Sequence, residues 1–236
     1  MIGLLSLFLI APPAASQILS TVAIDALYFQ RDESGVLEKT ITALETRLTE
    51  NPKEFDSMWR LSRSLVRRGE RLEKKKEKIA AFSRAEKGLA AALNIRDDAA
   101  EVHFWHGIAL GRLGQTRGIM RSLFMIGPMK TRMRRVLALD PRHSGAYHVL
   151  GELYHQLPRL VGGSKRLAVE NLEKALEYGP NHSSHYPALA EVYLAAGRKK
   201  DAIRVLEAFE GITRPADPPE LAGHRKNVRR LLQRLR

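Results

Sequence analysis

The stretch from Pro180 to Pro215, PNHSSHYPALAEVYLAAGRKKDAIRVLEAFEGITRP, decides the fold of this 236-residue chain. Its small and apolar residues recur at alternating intervals of three and four, as on one face of a helix. They are Tyr186, Leu189, Ala190, Tyr193, Ala202, Leu206 and Phe209. Gly197 interrupts the pattern where a helix end favours a residue free to adopt a positive φ. The stretch therefore predicts two antiparallel helices joined by a short turn.

The same unit recurs along the chain. Residues typical of turns end each copy at the same position of the repeat. They are Asn51-Pro52, Asp97-Asp98, Asp140-Pro141, Gly179-Pro180 and Arg214-Pro215. The last two prolines are 35 residues apart, close to the tetratricopeptide repeat (TPR) of about 34 residues. Each unit must stack on a neighbour to bury its apolar face. The sequence thus predicts an all-α, right-handed solenoid of about five TPR-like helix pairs.

Three units exceed the repeat length, by about five, ten and eleven residues, which predicts insertions between their paired helices. The insertion from Gln115 to Met129 is apolar, Met-rich and basic. It either lengthens its helix pair and covers the core, or forms an adaptable surface for a partner or lipid. Beyond Asp217, a predicted N-cap, an apolar stripe ending at Leu235 predicts a C-terminal capping helix.

The first sixteen residues have another character. Residues 2–10 are almost wholly apolar, no charged side chain precedes Asp25, and Ala14 and Ser16 are spaced as at a signal-peptide cleavage site. We therefore expect a signal peptide over residues 1–16, a solenoid domain over 17–236, and a periplasmic or otherwise exported protein. An uncleaved membrane anchor is the alternative, because the segment lacks a basic residue. The chain has no cysteine and hence no disulfide.

Several motifs resemble the family of regulator-of-microtubule-dynamics proteins and their bacterial relatives, over roughly Asp25 to Leu235. They are Trp59-Arg60-Leu61, Trp105-His106-Gly107-Ile108-Ala109-Leu110-Gly111, Gly118-Ile119, Leu137-Ala138-Leu139-Asp140-Pro141 and His148-Val149-Leu150-Gly151. The Gly162-Gly163 turn is also similar to the T-component of TRAP transporters. Neither family is enzymatic, so the resemblance implies a binding or scaffolding role, in the second case as a periplasmic accessory of solute uptake.

No catalytic constellation stands out. Gly162-Gly163-Ser164-Lys165 lacks the order of a phosphate-binding loop. His103 and His106 have the spacing of a metal pair, but the repeat register predicts that they pack against the paired helix. His182 and His185 fall in a turn and are expected to be solvated. The sequence therefore predicts no enzyme, no cofactor and no metal site.

In stacked repeats the first helices line a concave surface, which is the usual binding face. The register places these candidate groove residues there: Asp56, Trp59, Arg63, Arg67, Glu101, Phe104, Arg112, His148, Glu152, His155, Gln156 and Glu191. We expect Trp59 and Phe104 to act as apolar anchors and the three arginines to hold a carboxylate. His148 and His155 would make binding sensitive to pH.

The formal net charge of +13 is clustered around residues 67–78 and 225–236. Such patches attract polyanions, so an anionic membrane surface is a candidate partner. Nucleic acid is disfavoured because no aromatic residues alternate with the basic ones. The sequence favours a non-enzymatic scaffold of the bacterial envelope that holds a peptide, protein or small solute in its groove. The alternatives are a membrane or lipid tether that uses the basic, Met-rich insertion, and the uptake accessory.

Overall fold

The computed structural model describes residues 19–235, which form eleven α-helices and two short 3-10 helices. The α-helices are α1 (Thr21–Tyr28), α2 (Val36–Glu50), α3 (Phe55–Arg71), α4 (Lys75–Ile95), α5 (Ala100–Arg117), α6 (Ile119–Leu139), α7 (Ser144–Gln156), α8 (Lys165–Tyr178), α9 (His185–Ala195), α10 (Lys199–Ala208) and α11 (Pro218–Leu235). The 3-10 helices are Arg159–Val161 and Phe209–Gly211. Consecutive α-helices pair as five units, and α11 packs on α9 and α10. The predicted all-α solenoid with a C-terminal capping helix is confirmed.

Small residues let the paired helices approach closely. At Gly151 of α7, an added Cβ would lie 2.6 Å from Leu172 Cγ of α8.

The core runs along the whole stack. It consists of a cluster over units one to three, a cluster over units four, five and α11, and a bridge formed by Met133, Val136, Ala146, Val149 and Leu150. Gly197 follows α9 with φ +78°, as its position in the repeat predicts.

The extra residues of units two and three extend helices instead of forming loops. Only residues 72–74 separate α3 from α4, and only Gly118 separates α5 from α6. Of the two interpretations of the Gln115–Met129 insertion, the longer helix pair is the one observed: Met125 and Met129 cover Gly114 and Gly111 of α5. In unit four, residues 157–164 form a loop that contains the first 3-10 helix.

His103 and His106 pack inside the helix stack, as the register predicts, and their residues are only 1% and 4% exposed. His103 Nε2 donates to the backbone oxygen of Asp97 at 2.9 Å, and Arg132 donates to Nδ1 at 3.2 Å. These bonds fix the orientation of the His103 ring between α6 and the turn before α5.

Within residues 19–235, no helix is both long enough and apolar enough to cross a bilayer. The predicted signal peptide, residues 1–16, lies outside the described residues.

Candidate binding groove

A groove with a volume of about 1210 Å³ follows the concave face. Its walls come from the first helices of units two to five and from the N-terminal part of α11. We call this cavity the groove. Its lining includes Tyr28, Trp59, Arg63, Arg67, Glu70, Glu101, Phe104, Trp105, Ile108, Arg112, His143, His148, His182, His185, Asp217, Glu220 and His224.

Aromatic side chains form the apolar wall. Phe104 packs edge to face against Trp105, with ring centroids 5.6 Å apart, and lies 4.9 Å from the ring of His143. Trp59 is half-buried, and its Nε1 donates to Asp56 at 3.3 Å. Trp59 and Phe104 thus present apolar rings beside the polar groups of Asp56 and His143. This combination suits the recognition of a side chain.

The three arginines differ in what they can bind. Arg63 is buried, donates to Asp25 Oδ1 at 2.7 Å, and stacks on the ring of Tyr28 at 3.6 Å. It is a structural cation for α1, although its Nε has no partner among the described residues.

Arg67 is also committed within the fold. It contacts Glu70 at 3.0 Å and Glu220 at 2.7 Å. Burial opposes its charged form, but Tyr28, Glu220 and Glu70 outweigh burial and raise the pKa of Arg67 above its ordinary value. Arg112 pairs with Glu70 at 2.7 Å and keeps 45% of its side chain exposed. Of the three predicted arginines, Arg112 is therefore the best placed to hold an external carboxylate.

The two ends of the solenoid meet through an ion cluster that we call the latch, formed by Arg31, Arg67, Asp217 and Glu220. Arg31 is only 2% exposed and donates to both oxygens of Asp217 at 2.6 Å. Arg67 contacts Asp217 at 3.3 Å in addition to Glu220. Because Arg31 belongs to unit one and Asp217 precedes α11, the latch joins the first unit to the C-terminal helix.

Four histidines gather where α7, α9 and α11 meet at the groove. The Nδ1 atoms of His148 and His185 are 3.1 Å apart, and the ring of His182 lies 5.1 Å from that of His185. Ser183 Oγ and His224 Nδ1 are hydrogen bonded at 2.8 Å. His185, the first residue of α9, is only 2% exposed and packs against the ring of His148, so the expectation of a solvated side chain is wrong for it; His182 is half-buried.

Enclosure keeps this histidine cluster neutral. Burial, followed by the nearby His224 and His182, lowers the pKa of His148 to about 4. Burial, followed by the neighbouring histidines, also holds the pKa of His185 well below its usual range. The predicted partner of His148, His155, does not line the groove. The titrating neighbours of His148 are instead His182, His185 and His224.

The twelve predicted groove residues divide into two sets. Those that line the groove are Trp59, Arg63, Arg67, Glu101, Phe104, Arg112 and His148. Those that do not are Asp56, Glu152, His155, Gln156 and Glu191. The groove crosses α7 near its N-terminal end, at Gly145, His148 and Val149, whereas the second set includes the C-terminal end of that helix. There Gln156 donates to Glu152 at 2.7 Å.

Sequence reasoning missed Glu70, Asp217, Glu220 and His224. The α11 residues lie outside any repeat register, so no repeat pattern points to them. The one available signal was the predicted N-cap at Asp217, directly before α11, whose carboxylate also reaches Arg31.

Residues 23–161 match the family described as regulator of microtubule dynamics protein 1-3. The chain belongs to this family. The matched residues run from α1 to the first 3-10 helix and include the groove residues of units two and three. Regulator of microtubule dynamics protein 3 of Bos taurus is 26% identical over 147 residues, which cover 62% of this chain and 31% of the bovine protein. The chain thus aligns with about a third of that relative.

Solved TPR structures share the fold. A thermophilic TPR protein of Thermus thermophilus superposes with a TM-score of 0.67 at 18% identity, covering 91% of this chain and all of that one. MamA from Desulfovibrio magneticus RS-1 gives a TM-score of 0.52 at 15% identity, covering 85% and 99% of the two chains. These likenesses show a TPR solenoid in this member of the regulator-of-microtubule-dynamics family.

Proposed function

We propose that this protein is a non-enzymatic scaffold whose groove binds an extended segment of a partner protein. The observation that carries the proposal is the groove itself. Its volume of about 1210 Å³ exceeds the roughly 300–1,000 Å³ of small-molecule sites, and aromatic and charged side chains share its walls. Stacked repeats characteristically bind partners along such concave surfaces.

The lining indicates the chemistry of the segment. Trp59 and Phe104 offer apolar contacts, and Arg112 offers a cation with nearly half its side chain exposed. Arg63 and Arg67 are more deeply buried and already face carboxylates of the fold, whereas Lys78 and Arg142 line the groove as further cations. We therefore expect the bound segment to carry an apolar side chain close to one acidic group.

The proposed location is the bacterial envelope. Its support is the apolar segment over residues 2–10 and the small residues at Ala14 and Ser16. N-terminal sequencing of the protein purified from its native host tests this proposal: a chain that begins at Gln17 supports export with cleavage, and an intact Met1 opposes cleavage.

A role as an uptake accessory would place a small solute in the same groove. The Gly162-Gly163 turn is the feature that favours it. A small solute that displaces a groove-bound peptide at micromolar concentration would support this second function.

Selection from a displayed random-peptide library tests the groove. The full chain should enrich peptides with an acidic residue near an apolar one. The affinity of a selected peptide should fall at least tenfold, about 1.4 kcal/mol, in the Trp59→Ala/Phe104→Ala/Arg112→Ala variant. The matched control is His155→Ala/Gln156→Ala, two changes on α7 outside the groove. Equal loss in both variants, or no loss in the first, would show that the groove is not the binding site.

A further inference from the structure

The two edges of the solenoid carry opposite charge. Each helix pair turns once within the unit and once towards the next unit, so the five turns within units share one edge of the stack. We call this the inner-turn edge, residues 29–35, 71–76, 117–121, 157–166 and 196–200. It holds thirteen basic and three acidic residues. The turns of the opposite edge, residues 50–54, 95–99, 139–143, 178–184 and 210–217, hold four basic and seven acidic residues.

Exposed apolar side chains concentrate on the same edge. In the described part of the chain, nine large hydrophobic residues are exposed, and seven lie in the inner turns or in the helical turn that follows. The seven are Phe29, Ile119, Met120, Leu123, Phe124, Leu160 and Val161. Val22 and Ile95 are the other two. Side chains this exposed add nothing to the core, and their clustering marks an interaction surface.

The α5–α6 hairpin projects beyond unit four. Counted from the equivalent glycines Gly107 and Gly151, α5 continues for ten residues and α7 for five. At 1.5 Å per residue, the tip therefore extends roughly 7 Å past unit four. Ile119, Met120 and Phe124 at this tip are 81%, 67% and 66% exposed.

Basic residues surround the tip without local neutralisation. Arg117 and Arg121 flank Ile119 and Met120, and no acidic residue occurs from Val102 to Leu139. An apolar protrusion ringed by arginines matches the interface of an anionic bilayer, where apolar side chains enter the headgroup region and basic ones contact lipid phosphates.

We propose that the inner-turn edge docks on an anionic phospholipid membrane, with the α5–α6 tip inserted into the headgroup layer. Apart from Phe29, the residues of this edge do not line the groove, so this inference does not rest on the proposed function. Two copies are disfavoured from pairing through this same edge, because two edges of the same positive sign repel each other. A second copy that docks through its acidic edge is the outcome that the protein-concentration control below detects. Nucleic acid is disfavoured because the exposed Ile119 and Leu160 side chains are aliphatic and cannot stack on bases as aromatic side chains do.

Single-cysteine labelling tests the insertion, since the chain contains no cysteine. An environment-sensitive fluorophore is attached to the full chain at Phe124→Cys and, as the matched control, at Ile95→Cys. Ile95 is an exposed apolar residue on the opposite edge. With vesicles of phosphatidylcholine and phosphatidylglycerol, the label at 124 should shift to the blue, and the label at 95 should not.

Residues 1–18 are present in both labelled proteins, so binding through that segment alone gives no difference between them. Sedimentation with vesicles while the label at 124 stays unshifted overturns the proposal. A shift at 124 that depends on protein concentration without vesicles, or that duplex DNA produces instead of vesicles, also overturns it.

Charge reversal tests the electrostatic component. Arg117→Glu/Arg121→Glu should weaken vesicle binding at least tenfold at low salt. Lys53→Glu/Arg214→Glu changes the net charge equally at exposed positions of the opposite edge and should have less than a twofold effect. An equal loss in both variants indicates a response to net charge alone and contradicts docking by this edge.

Discussion

The guanidinium of Arg31 and the carboxylate of Asp217 lie 2.6 Å apart, although 186 residues separate them in the chain. Arg31 follows α1, and Asp217 directly precedes α11. The pair therefore fixes the first unit against the C-terminal helix and limits how far the solenoid can open. It ties the shape of the groove to a contact between its two ends.

Removing Asp217 should destabilise the protein. In Asp217→Ala, Arg31 keeps only Glu220, at 3.7 Å, as a carboxylate partner in a site where it is 2% exposed. We expect a loss of about 3 kcal/mol in the free energy of unfolding and a larger radius of gyration. Urea denaturation and small-angle X-ray scattering measure these quantities.

Asp201→Ala is the control for the latch, because the Arg198–Asp201 pair lies at the surface. It should change the free energy of unfolding far less than Asp217→Ala does, because solvent screens this pair. If the two variants lose similar stability, the latch has no special role.

Acid should destabilise the fold through His148. The pKa of His148 is about 4 in the fold, lowered chiefly by burial, against an unperturbed 6.5. Between these values the unfolded chain binds more protons than the folded chain, so the free energy of unfolding falls as pH falls. For this group the slope reaches at most about 1.4 kcal/mol per pH unit, and His185 adds to it.

The His148→Gln variant checks the origin of this slope. Urea denaturation from pH 4 to pH 7 should show a flatter dependence than in the parent protein. His155→Gln, on the same helix but outside the groove, should keep the parent dependence. An unchanged slope in His148→Gln would rule out this histidine as its source.

Replacing either of two glycines by alanine should change the free energy of unfolding, but in opposite directions. At Gly163 a Cβ would lie 1.8 Å from the backbone oxygen of Leu157, which no side-chain rotation can relieve. Gly163→Ala should therefore cost about 1–3 kcal/mol. Gly223 lies inside α11 with no atom within 4 Å of such a Cβ, so Gly223→Ala should add about 0.5–1 kcal/mol. Thermal melts of both variants test the pair, and equal signs would contradict it.

Replacing Arg63 should lower stability, whereas replacing Arg112 should lower the affinity for a peptide. Arg63→Ala removes a buried cation that joins Asp25 and Tyr28, and we expect a loss of about 2 kcal/mol or more. Arg112→Ala removes a half-exposed side chain and should leave stability within about 0.5 kcal/mol. Peptide affinity should fall in Arg112→Ala. Loss of stability without loss of affinity in that variant would reverse the assignment.

Much of the fold could be predicted from the sequence because the repeat is a local pattern. Tyr186, Ala190, Ala202 and Phe209 are buried where the spacing places them, and Gly197 adopts the positive φ expected after the first helix. The site could be predicted only in part. Trp59, Phe104 and Arg112 line the groove, whereas His155 and Glu191 lie outside it.

The sequence alone determined the all-α repeat architecture, the buried face of each helix and part of the set of residues that the first helices offer to the groove. These follow from helical periodicity, which links residues three or four apart. Only the tertiary structure decided the latch, the histidine cluster and the charge difference between the two edges. Those features depend on how the stacked units curve and on where α11 packs. The contacts join residues far apart in the chain, 37 positions for His148 and His185 and 150 for Arg67 and Asp217, and no local pattern encodes them.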